Sequence, residues 1–307
     1  MKSYLLFALL AVFGGSASAT TTFYTIGPDN QGTPSSFTSI LLRGTVSTLF
    51  DLGGGVNGFN GGITYDPLNK SFYGIANDSF GNSSLEVFTA GGGGLVSTLG
   101  TLGTGYTSGL TFDSADGNLY AISNDFVVTG HSFLDRLSLS EMSLTPIVDL
   151  GLGFEGGGLF TGGLTFDPNN GLFYAMSADA NGVSRQFNSI SLSGTQTFVF
   201  SLGFGSDSYN GGLVFNPADN RFYTISNDSQ GNSTLKSFAL GGGLIHTELA
   251  LGQGFNNVGL TLVDSASVPE PSYGPLLGGA LFVGLCIRQK GLRKCSIEKQ
   301  TSPRHAA

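Results

Sequence analysis

The stretch GGLTFDPNNGLFYAMSADANG, residues 162–182, constrains this chain most, because nearly the same sequence is written again three more times. The other full copies are GGITYDPLNKSFYGIANDSFGN from Gly61, SGLTFDSADGNLYAISND from Ser108 and GGLVFNPADNRFYTISNDSQGN from Gly211. A fifth copy is split: its second half, TFYTIGPDNQG, starts at Thr22, and its first half, VGLTLVD, starts at Val258. The marker tyrosines Tyr24, Tyr73, Tyr120, Tyr174 and Tyr223 are 49, 47, 54 and 49 residues apart. A period near fifty is the mark of a repeat architecture.

Each copy resolves into four strand-forming runs. The first is the GLTF run, and the second is the FYxI run, as in Phe72-Tyr73-Gly74-Ile75 and Phe222-Tyr223-Thr224-Ile225. Large residues at both parities of the second run predict a strand covered on both faces, as between neighbouring sheets. The third run is typified by 85–88 and 235–238; the fourth ends in a Leu-Gly pair in every copy, from Leu52-Gly53 to Leu251-Gly252. Between the first and second runs lie DPLNKS, DSADGN, DPNNG and NPADN, which are tight-turn sequences. Four antiparallel strands per unit predict an all-β, five-bladed β-propeller of about 49-residue repeats over residues 20–264. In the split copy, the terminal run 259–264 would pair with the N-terminal strands, closing the ring and removing the edges of an open array.

Charge narrows the partners. Of thirteen Lys and Arg, six follow Ile287 and one is Lys2, which leaves six against twenty carboxylates between Thr20 and Pro271, a balance near −14. A surface of that sign excludes nucleic acid, whose phosphates require a basic face. Both cysteines, Cys286 and Cys295, lie beyond the repeats, so the propeller contains neither a disulfide framework nor a thiol nucleophile.

The ends of the chain read as targeting segments. Residues 1–19 carry Lys2, an apolar run from Leu5 to Phe13 and the small-residue site Ser16-Ala17-Ser18-Ala19, the plan of a secretory signal. After the repeats come a linker with Val268-Pro269-Glu270-Pro271-Ser272 (265–272), an apolar run (273–287) and a basic tail (288–307) with Arg288, Lys290, Arg293 and Lys294. This order of parts resembles the PEP-CTERM sorting signal of bacterial exported proteins. The resemblance covers about the last forty residues and implies an exosortase-type processing enzyme as partner and a single short transmembrane helix. It implies an inner-membrane intermediate followed by the cell surface or an extracellular, exopolysaccharide-rich matrix. The positive tail would stay inside and the propeller outside. The stretch CSIEKQTSPRHAA after Lys294 is longer than the usual ending of such signals.

Two features recur in the loops that a propeller gathers on one face. An Asp follows every second strand, at Asp29, Asp78, Asp125, Asp179 and Asp228, and an aromatic precedes every first strand, at Phe59, Tyr106, Phe160, Tyr209 and Phe255. Acidic acceptors beside aromatic faces suit sugars, which hydrogen-bond along their edges and stack on their faces, and five-bladed lectins share this plan at the level of architecture. The same residues serve equally as turn caps and inter-blade packing. The Asp-rich loops also admit calcium, although none has the full alternating ligand pattern and no other cofactor or metal site is indicated. No catalytic set stands out. The unrepeated Glu155 and Asp207 are the only carboxylate pair to suggest a polysaccharide-active hydrolase, and His131 and His246 are isolated. The expectation is a protein that acts by binding, with a purely structural matrix role and a hydrolase as alternatives.

Overall fold

The computed structural model describes residues 21–28, 33–42, 44–53, 58–90, 96–126, 128–152, 158–203 and 207–263. They form twenty strands, with no helix among the described residues. In chain order these are β1 (Thr22–Pro28), β2 (Pro34–Leu41) and β3 (Val46–Asp51), then β4 (Ile63–Asp66), β5 (Ser71–Asn77), β6 (Asn82–Phe88) and β7 (Ser97–Thr104). There follow β8 (Ser108–Asp113), β9 (Asn118–Asn124), β10 (Ser132–Ser138) and β11 (Ser143–Gly151), and β12 (Leu164–Asp167), β13 (Leu172–Ala178), β14 (Ser184–Ile190) and β15 (Gln196–Ser201). The series ends with β16 (Leu213–Asn216), β17 (Arg221–Asn227), β18 (Asn232–Phe238), β19 (His246–Gln253) and β20 (Leu260–Val263).

The strands make five four-stranded antiparallel sheets: β20-β1-β2-β3, β4 to β7, β8 to β11, β12 to β15 and β16 to β19. These are propeller blades, here numbered one to five in that order. Blade one joins the two ends of the repeat region, with Thr22 opposite Val263 and Thr25 opposite Leu260. The first strands neighbour one another in the cycle β20, β4, β8, β12, β16 and back to β20, so the ring closes as the split repeat predicts. The signal at 1–19 and the segments from 265 onward, including the apolar run, lie outside the described residues, all of which belong to the unit Met1–Ser267. No helix among the described residues is long and apolar enough to cross a membrane.

The glycine before each first strand explains why the motif is written GGLTF. Gly62, Gly109, Gly163, Gly212 and Gly259 each press against the backbone of the next blade's first strand, at Leu110, Leu164, Leu213, Leu260 and Ile63 in turn. A methyl group on any of them would overlap that neighbour. Hydroxyls add bonds between adjacent first strands: Phe112 N donates to Thr64 Oγ1 (3.1 Å) and Phe215 N to Thr165 Oγ1 (3.0 Å).

The FYxI strands form the seams further out. The tyrosine of one blade meets the phenylalanine of the next, as in Tyr24–Phe72 (5.1 Å between centroids), Tyr120–Phe173 (4.6 Å), Tyr174–Phe222 (4.9 Å) and Tyr223–Phe23 (4.7 Å). Each such pair adds about 1 kcal/mol beyond the area it buries. Between blades two and three, Leu119 takes the phenylalanine's place against Tyr73 in one apolar cluster. The tyrosine hydroxyls reach back into the preceding turn, Tyr120 Oη donating to Asp116 (2.7 Å) and Tyr223 Oη to Asp219 (2.6 Å). That one side chain therefore fixes both a seam and a hairpin.

Gly163→Ala is expected to cost about 3 kcal/mol by overpacking against Leu213. Gly171→Ala, where φ is +72° but nothing lies within 4 Å of an added methyl, should cost only about 1 kcal/mol. Urea unfolding of the two variants measures the difference, and equal losses would remove the steric account of the ring. Deleting residues 255–264, which takes away β20, is expected to abolish the cooperative transition; an unchanged melt would reject closure through blade one.

Candidate functional site

The repeated loop aspartates are occupied by their own loops. Asp78 accepts from the Phe80 and Asn82 backbone N–H groups and from Asn82 Nδ2, each at 2.8 Å. Asp228 repeats this with Gln230 N, Asn232 N and Asn232 Nδ2, each at 2.9 Å. The asparagine amides, followed by the backbone donors, hold both carboxyls below the ordinary carboxylate range. Asp179 accepts from Asn181 N, Val183 N and Arg185; burial pushes its carboxyl up, and these donors together more than offset it. Asp125 accepts from Val128 N, Thr129 N and Thr129 Oγ1. Asp29 lies outside the described residues. The four described carboxylates build loops, with the oxygens that a sugar or calcium ion would need already engaged. Among the described residues there is no group of three or more His, Cys, Asp or Glu placed to hold a metal.

The repeated aromatics are no platform for a sugar. Phe59, Tyr106, Phe160, Tyr209 and Phe255 are all buried, none more than 6% exposed, so their faces are spent on packing. Their backbones complete a clasp between blades. Asn77, Asn124 and Asn227, at the ends of the second strands, donate through Nδ2 to the carbonyls of Tyr106 (3.0 Å), Phe160 (3.0 Å) and Phe255 (3.3 Å) in the next blade. Ser83, Ser132 and Ser233 in turn donate to the asparagine Oδ1 at 2.5, 2.6 and 2.6 Å. In two copies the asparagine is replaced, by Ala178 and by Pro28. There Ser184 Oγ turns to the Tyr209 carbonyl at 3.4 Å, and the buried Ser35 Oγ has no hydrogen-bond partner. The clasp was visible in the sequence as the Asn of the recurring Asn-Asp pair, overshadowed by the charged residue beside it.

Of the unrepeated pair, Asp207 alone lies among the described residues. Asp207 is bound to Lys236 Nζ at 2.5 Å, beneath which lies the Tyr209 ring, and Glu155 is outside the described residues. His131 Nδ1 lies 3.0 Å from Asp149, an exposed contact on the β10–β11 edge.

A cleft of about 440 Å³ opens between the β5–β6 loop of blade two and the β9–β10 loop of blade three. Phe80 and Phe126 border it, exposed by 86% and 59%, and the hydroxyl-bearing residues Thr104, Thr107 and Ser123 are part of its lining. Behind it lies a buried carboxyl: Asp135, 2% exposed, accepts from Tyr106 Oη at 2.8 Å and from the Ser123 side chain. Burial pushes the carboxyl of Asp135 up, against the pull of its two hydroxyl donors, and also drives the Tyr106 phenol well above its usual range. Neither exposed phenylalanine belongs to the repeated pattern. The signal that could have found them is their departure from it, DSFGN against DSQGN and the longer DFVVTGH.

No family model and no curated protein matches the sequence. Solved structures similar to the chain include TolB from Acinetobacter baumannii, with 10% identity, a TM-score of 0.48 and coverage of 77% of this chain and 53% of that one. A gluconolactonase from Xanthomonas campestris aligns at 13% identity and TM-score 0.43 over 76% of this chain and 78% of its own. A GH43 glycoside hydrolase with an engineered active site aligns at 12% and 0.48 over 78% and 52%. The chain thus spans about half the length of the TolB and hydrolase chains. At identities of 10–13% and TM-scores below 0.5, these likenesses carry no activity across to this chain.

Two outcomes test this geometry. Asn227→Ala strands the buried groups of Ser233 and Phe255 and is expected to cost about 2 kcal/mol in chemical denaturation. For Asp135 the folded-state pKa is raised, so its favourable contribution is complete below the unfolded carboxylate pKa and is lost as pH rises through the folded value. Asp135→Asn should accordingly gain on the wild type as pH rises from 3 to 7; a pH-independent difference in stability would contradict the assignment.

Proposed function

We propose that this chain is an exported propeller that acts by binding in an extracellular polysaccharide layer. Residues 1–19 direct export, the run 273–287 holds an inner-membrane intermediate, and the Val268–Ser272 motif is the recognition point for an exosortase-type enzyme. The observation that carries a binding role is the loop-face cleft, where two large apolar rings stand in solvent around hydroxyl-bearing residues. Such a mixture of apolar surface and a few polar groups is what ligand sites share. Five equivalent sites, as the repeats first suggest, are set aside because the four described aspartates and the repeated aromatics are engaged internally.

A hydrolase needs two carboxyls facing across a cleft. Among the described residues the carboxylate lining this one is Asp125, which its own loop holds, and this favours binding. A non-binding matrix protein would leave the exposed phenylalanines without a purpose.

Cell fractionation tests the proposal. The wild-type chain is expected in the extracellular polysaccharide fraction at a mass lacking its C-terminal segment. Replacing Pro269, Glu270 and Pro271 with alanine should leave it full length in the membrane fraction, and identical mass and location for both would overturn the sorting reading.

A further inference from the structure

We infer that the cleft between the β5–β6 and β9–β10 loops is a single glycan site per chain, one that takes uncharged sugar rings against Phe80 and Phe126. The inference rests on the binding role proposed above and gives it a place, a stoichiometry and a ligand class.

The site is single because the residues that make it are not repeated. Where blade two has Phe80, the loops of blades one, four and five carry Gln31, Asn181 and Gln230; where blade three has Phe126, the other four carry Asn30, Ser79, Ala180 and Ser229. Loop geometry does not require the Phe80 ring. The Asp228 loop closes with the same hydrogen bonds as the Asp78 loop although Gln230 replaces Phe80. Isolated exposed apolar residues are ordinary, but two on adjacent loops at the borders of one cleft concentrate apolar surface where a ligand would cover it.

The ligand class follows from charge and hydrogen-bonding capacity. Among the described residues no Lys or Arg lines the cleft, and the acid that does, Asp125, already accepts from Val128 N, Thr129 N and Thr129 Oγ1. An anionic ligand would meet no counter-charge there. The hydroxyls of Thr104, Thr107 and Ser123 are neutral, short and suited to other hydroxyls. Flat apolar faces plus hydroxyl partners describe a pyranose better than a peptide, whose backbone would seek a strand edge. The volume of about 440 Å³ falls within the range of small-ligand sites.

The test uses the purified full-length chain, immobilised neutral β-glucan, mannan and galactan, an alginate-type polyuronate as the anionic comparison, and calorimetry with oligosaccharides of whichever neutral polymer retains it. Expected are retention on a neutral polymer, a stoichiometry near one, and about tenfold weaker binding for Phe80→Ala and for Phe126→Ala. Gln230→Ala, at the matching position of blade five, should bind as the wild type does. Because both rings are exposed, melting curves of the variants should overlay the parent's. Neutral-glycan binding that survives both substitutions, or a stoichiometry near five, would overturn the site while leaving a glycan-binding role standing. Preference for the polyuronate would overturn the ligand class. Failure to bind any neutral polymer would overturn the inference as a whole, and the fractionation above decides separately whether the exported chain belongs to a polysaccharide layer.

Discussion

The closest approach in this molecule is between backbones. Five glycines, from Gly62 to Gly259, let each first strand lie against the next without a side chain between them, and every other layer of the ring is spaced by that contact. On the second strands, tyrosine meets phenylalanine across the seams, and at the loop end of those same strands asparagine and serine fasten one blade to the next. Between the first strands the contact is backbone to backbone with threonine hydroxyls bridging, between the second strands it is ring against ring, and at the loop ends buried polar groups are satisfied by one another.

Most of this could be read from the sequence, for a physical reason. A propeller uses the same contacts five times, so residues under common steric demand recur at a common interval, and the glycines, tyrosines and hairpin turns stand out together. The split copy even disclosed which strands would meet. The candidate site was harder to read because the same logic misleads there. Asp78 and Asp228 recur because a five-residue loop needs an acceptor at its start, and Phe59 and Tyr106 recur because every seam needs filling. Repetition marks what the fold requires of each blade. Phe80 and Phe126, which the fold does not require, were invisible to a search for recurring residues.

The fastening between blades is not uniform either. Asparagine is present at the seams from blade two to three, three to four and five to one, while Ala178 and Pro28 stand in its place before blades five and two. Ser35, left with a buried hydroxyl and no partner, records what the missing asparagine supplied elsewhere. The cleft lies at the blade two to three seam, one of the fastened ones, and a rigid seam suits a site whose ligand must bridge two loops.

The pairing of Thr22 with Val263 carries a consequence for the birth of the protein. The first strand made has to wait for the last one, and until it arrives blade one is a three-stranded sheet with an open flank. Contacts this distant along the chain form slowly. A chain built in this way stays incomplete throughout synthesis, and the propeller can lock only once its final strand has been made.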